Sequence, residues 1–109
     1  MGLVTSTIRL LHLNNYRLDL EYKMQLISVA KLGLSNNIND LLNAGTDLDP
    51  DSPEVKALEK RKERLYMVEK RLDEQLQRYQ TQLKSVEAEF ESVKQQIDKN
   101  IKYSYGGSN

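Results

Sequence analysis

The side chains that could carry chemistry are few and scattered along the 109 residues. His12 is the single histidine, and cysteine is absent, which removes disulfides, thiolate catalysis and cysteine-based metal sites. His12 lies among Leu10, Leu11 and Leu13 with no imidazole, thiol or carboxylate at ligand spacing, so it reads as a surface or interface side chain. Asp47, Asp49 and Asp51 alternate as the first ligands of a calcium loop do. Such a loop would need glycine at 52 and a bidentate acid at 58. The chain has Ser52 and Leu58 there, with Pro50 and Pro53 stiffening the segment, so the three acids read as turn and cap residues. The other carboxylates are spread along helical positions without pairing. No catalytic residue, metal or cofactor is expected, and an enzyme is not.

Charge narrows the partners. Sixteen Lys and Arg balance sixteen Asp and Glu, so no net field draws the chain to nucleic acid or an acidic membrane. Lys56, Lys60, Arg61, Lys62, Arg64, Lys70 and Arg71 form a basic stretch, but Glu54, Glu59, Glu63 and Glu69 interleave it. It reads as a solvated helix face with the stems of Arg61 and Lys62 lying on apolar surface, and no nucleic-acid partner is expected. No run approaches the ~18 apolar residues that span a bilayer, and no basic segment leads into an apolar core, so neither membrane insertion nor a Sec-type signal is expected. Met1-Gly2-Leu3-Val4-Thr5-Ser6 fits the N-myristoylation form at Gly2, yet the second signal needed for firm anchoring is missing, and Thr5 or Ser6 serves as a helix cap instead. Localisation stays open between the cytoplasm and export without a Sec-type signal.

The elements that hold these residues are helices. From Leu65 the apolar positions are Val68, Leu72, Leu76, Tyr79, Leu83, Val86, Phe90, Val93, Ile97 and Ile101, all in steps of three or four, which predicts one long helix with a continuous seam. The steps of four at Leu72–Leu76 and Ile97–Ile101 break a strict heptad and predict local unwinding of a supercoil. Upstream, the alternation of Leu18, Leu20, Tyr22, Met24 and Leu26 resembles a strand over a short window. Two helical stripes explain more of it: Leu13, Tyr16, Leu20, Met24, Ile27, Leu34, Ile38 and Leu41 on one side, and Ile8, Leu11, Leu18, Tyr22, Val29 and Leu32 on another. Gly33, Asn36 and Asn37 predict a kink or fray, and Gly45 a left-handed close. In the connector Pro50 excludes Asp49 from helical geometry, Pro53 suits a first helical position, and Asp51 or Ser52 is the N-cap, with Glu54 completing a capping box from Asp51.

The fold class is therefore all-α, an antiparallel two-helix hairpin in a single domain spanning 1–109. Its helices run over about 5–43 and 53–102, with a turn at 44–52 and a flexible tail at 103–109. A turn centred near Leu48 pairs residues whose numbers add to about 97, for example Ile27 with Lys70 and Ile8 with Glu89. The last turns of the second helix then overhang. A lone hairpin leaves the second stripe of the first helix open, so the chain is expected to self-associate or to bind a helical protein. The interaction residues are Ile8, Leu11, Leu18, Tyr22, Val29 and Leu32 on that stripe, with Ile97, Ile101, Tyr103 and Tyr105 at the overhanging end.

The order of helix, acidic turn with Pro50-Asp51-Ser52-Pro53, longer helix and short polar tail resembles the needle subunits of type III secretion systems, whose helices flank a Pro-x-x-Pro turn. It is similar, more loosely, to the Trp-x-Gly family of small secreted hairpins, from which it departs by having no tryptophan. The resemblance implies a non-enzymatic subunit or substrate of a specialised secretion apparatus. A cytosolic coiled-coil adaptor or export chaperone holding one partner helix is the alternative.

Overall fold

The structure, a computed structural model, describes residues 2–106, with the side chains of 104–106 not described. It consists of two helices, α1 over Leu3–Ala44 and α2 over Pro53–Gly106, running antiparallel as a hairpin. Contacts gather into two compact units, one of Met1–Lys23 with Tyr79–Asn109 and one of Met24–Arg78.

The helix ends follow local chemistry, with differences from expectation. α1 starts before Thr5 and Ser6, so neither caps it; the Gly2 carbonyl accepts the Ser6 N–H at 3.0 Å, leaving Gly2 at the cap position. No kink or fray occurs between Gly33 and Asn37, because α1 is unbroken to Ala44. The roughly 1 kcal/mol that one glycine costs is small beside the burial of Ile27 before it and of Leu34 and Ile38 after it. Gly45 does not adopt a positive φ. The chain leaves α1 by tightening instead: the Thr46 N–H and Oγ1–H both donate to the Asn43 carbonyl, at 3.3 and 2.8 Å. At the start of α2 the cap is Ser52, whose Oγ accepts the Val55 N–H at 3.3 Å, with Pro53 first in the helix. Since the third helical position is then Val55, no capping box forms. Glu54 still places negative charge in the first turn. α2 continues to Gly106, so residues 103–106 are helical where a tail was expected, and 107–109 lie outside the described residues.

Both helices bury unbroken heptads. On α1 the inward series is Ser6, Leu10, Leu13, Arg17, Leu20, Met24, Ile27, Lys31, Leu34, Ile38 and Leu41, with Gly45 next in step just past its end. On α2 it is Val55, Leu58, Lys62, Leu65, Glu69, Leu72, Leu76, Tyr79, Leu83, Val86, Phe90, Val93, Ile97 and Asn100. Steps of three and four alternate throughout, as left-handed supercoil packing requires. The stutters expected in α2 are absent. Glu69 rather than Val68 is half-buried, and Val68 is 43% exposed; Asn100 takes the inward place in preference to Ile101. On α1, likewise, Arg17 faces inward and Tyr16 outward.

Register differs too. Within Met24–Arg78, a Cβ on Gly45 would lie 3.8 Å from Leu58, and Lys31 pairs with Asp73, so facing residues have numbers adding to 103 or 104. In the unit of the chain ends the contacts are Arg9 with Glu89, Arg17 with Phe90 and Lys23 with Tyr79, with sums of 98, 107 and 102 that centre close to the same value. The expected 97 was about six residues off. A centre taken at Leu48 ignores the extra turn of chain at Thr46–Ser52, folded by Leu48 N–H to Gly45 O and Ser52 N–H to Asp49 O bonds.

Candidate interaction faces

α1 presents a second heptad. Val4, Leu11, Leu18, Gln25 and Leu32 recur every seven residues, as do Ile8, Asn15, Tyr22, Val29 and Asn36, and all ten are exposed. At 100° per residue this stripe lies about 150° around α1 from the inward one, so it cannot be covered by α2. In the unit of the chain ends it shows Val4, Ile8, Leu11, Leu18 and Tyr22, all at least half exposed; in the other unit it shows Val29 at 69% and Leu32 at 66%, beside an exposed Leu26. The six residues singled out in the sequence are thus all exposed on α1, four in the unit of the chain ends and two in the other.

Electrostatics leave that stripe neutral. The four cations of α1 are each engaged: Arg9 with Glu89, Lys31 with Asp73, Lys23 with Asp19 at 2.8 Å, and Arg17 over Phe90. The carboxylate of Asp19, by hydrogen bond and by charge, raises the Lys23 ammonium above the ordinary 10.5. α2 is different. Away from its seam it is crowded with Lys, Arg, Glu and Gln, and among the described residues its large exposed apolar side chains are Tyr66, Met67 and Val68 near the start and Ile101 and Tyr103 near the end.

The terminal group is divided by the register. Ile97 is half-buried, level with Ser6 of α1, whereas Ile101 and Tyr103 extend beyond Leu3 and are exposed, Tyr103 at 78%. The side chain of Tyr105 lies outside the described residues. Sequence periodicity placed Ile97 in the overhang because it assumed a register six residues short.

Polar residues inside the seam are what sequence reading missed. Ser6 is fully buried, its Oγ without a hydrogen-bond partner, and Glu69 interrupts the aliphatic series of α2, whereas Lys62, one of the two cations expected to lay its stem on apolar surface, is half-buried. A sevenfold spacing count carried past these polar positions would have found them. At the turn an open cavity of about 170 Å³ is lined by Leu41, Leu42, Gly45, Val55 and Leu58, with Glu59 and Lys62 as its charged members. Asp47, Asp49 and Asp51 are exposed in the turn, where Asp49 Oδ1 accepts the Asp51 N–H at 3.2 Å. Among the described residues no group of metal-ligating side chains gathers, and no helix is long and apolar enough to cross a membrane.

The chain matches no protein-family model, and neither a curated protein nor a solved structure matches it.

Proposed function

We propose that this chain is a non-enzymatic assembly subunit whose activity is helix packing, of the kind that builds or passes through a specialised secretion apparatus. The observation that carries the assembly reading is the outward heptad of α1, from Val4 to Leu32, exposed on a helix whose other side is already buried. Contiguous apolar surface of this kind marks an interaction site. The link to secretion rests on the Pro50-Asp51-Ser52-Pro53 turn between two helices, as in needle subunits. Sedimentation and electron microscopy of the purified chain from micromolar to high concentration test it. Growth into oligomers or filaments is expected, and a chain that stays monomeric throughout overturns it. The second reading, an adaptor or export chaperone, is favoured by the same neutral stripe, wide enough for one amphipathic helix. It is distinguished by a chain that stays small until that helix is supplied.

A further inference from the structure

Between Ile8 and Leu32 the outward stripe of α1 reads the same in both directions; the mirror ends there, since Val4 would face Asn36. From Ile8 to Leu32 its heptad positions are Ile8, Leu11, Asn15, Leu18, Tyr22, Gln25, Val29 and Leu32, and the two amides stand third from either end. We infer that this stripe is the interface of a homodimer in which α1 of one copy packs antiparallel on α1 of a second, residue i facing residue 40 − i of its partner copy.

In that register Ile8 meets Leu32, Leu11 meets Val29, Leu18 meets Tyr22, and Asn15 meets Gln25. Every apolar side chain finds an apolar one, and the two amides, both exposed in the single chain, find each other. Sliding by one heptad one way sets Asn15 against Leu18 and Gln25 against Ile8, and the other way sets Asn15 against Leu32 and Gln25 against Tyr22. Either slide leaves Asn15 facing an aliphatic side chain, and its desolvation without a partner is unfavourable, so the Asn15–Gln25 pair favours the register as a lone polar seam residue does in coiled coils. Two-fold symmetry requires such self-complementarity, since each contact must occur twice with the roles exchanged. A parallel pairing would match each residue with itself and would make no use of the mirrored order.

Other features of α1 agree with a second copy as the occupant. No charge lies on the stripe itself. Its flanks between Ile8 and Leu32 carry only Asp19 and Glu21, whose carboxylates come beside those of the other copy near the two-fold axis, an opposing term that the Asp19–Lys23 ion pair reduces. The charged outward surface of α2 gives such a stripe no counterpart, whereas α1 of another copy does. At roughly 100 Å² of exposed surface per side chain, the six large apolar residues on each of two chains remove about 1,200 Å² in all, the lower bound of a specific stable interface. Ser28, on the flank of the stripe, is small enough to allow close approach.

This inference rests on the assembly reading above and names its first contact. Because the chain has no cysteine, engineered pairs report on it directly. Leu11→Cys and Val29→Cys chains are purified separately, mixed under mild oxidation, and compared with each alone; both are sedimented alongside Leu18→Lys. A disulfide-linked dimer in the mixture and in neither parent is expected, with Leu18→Lys weakening self-association at least tenfold at unchanged helicity. Cross-linking of Leu11→Cys with itself, as parallel pairing would give, overturns the inference. So does an oligomer in sedimentation that fails to cross-link in the mixture and ignores Leu18→Lys, an outcome that leaves assembly itself standing. A wild-type chain that sediments as a monomer removes both.

Discussion

The guanidinium of Arg17 lies over the ring of Phe90, 4.9 Å from its centre, at a position of the α1 heptad that ordinarily takes a leucine. Its Nη2 donates to Asn14 Oδ1 at 2.7 Å, while its Nε is buried without a hydrogen-bond partner. A cation in the seam is tolerated because the aromatic face attracts it and its methylene stem packs as a short aliphatic chain. Replacing Arg17 by Ala should therefore destabilise the hairpin by about 1 kcal/mol in urea unfolding, and Arg17→Lys should recover only part, since an ammonium cannot stack as a planar guanidinium does. Unchanged unfolding of Arg17→Ala would mean that the ring contact contributes nothing in solution.

Glu69 and Val68 exchange the roles that hydropathy assigns them. Glu69→Leu should raise stability by about 1 kcal/mol through added apolar burial at an inward position, while Val68→Ser should stay within about 0.5 kcal/mol of the parent. The opposite ranking in denaturant melts would restore the stuttered seam and remove the heptad.

At the start of α2 the two candidate caps separate. Ser52→Ala removes the acceptor of the Val55 N–H and should cost about 1 kcal/mol. Asp51 contributes its backbone N–H to Asp49, a bond that Asp51→Ala retains, so that change should cost less than half as much. Equal losses in thermal unfolding would move the cap off Ser52.

Lys23 supplies a pH signature. The Asp19 hydrogen bond and charge, aided by Tyr79 and Tyr16, raise its folded value above 10.5, so the pair's contribution is fully present below 10.5 and is lost as pH climbs through the raised value. Asp19→Asn should bring the Lys23 titration, followed by NMR of its side chain, back down toward 10.5. A titration that Asp19→Asn does not move would show the pair unformed.

Local chemistry by itself determined that both long segments are helices, that Pro53 stands at the start of the second, and that α1 carries two stripes, because three- and four-residue spacing and proline's missing N–H are properties of the chain alone. It also singled out Ile8, Leu11, Leu18, Tyr22, Val29 and Leu32 as the outward face, since two apolar stripes on one helix cannot both meet a single partner helix. Which residues fill the seam between apolar neighbours was a tertiary decision. Val68 and Glu69 both fit helical spacing after Leu65, and so do Tyr16 and Arg17 after Leu13. Only the facing helix, which keeps every step in one heptad along its length, turned Glu69 and Arg17 inward. Register was decided the same way. Thr46–Ser52 can be counted but its path cannot, and six residues of offset separate an Ile97 left in the open from one set level with Ser6. Packing of the two helices chose between them, because a hairpin's register is a sum of many facing contacts that no single segment contains.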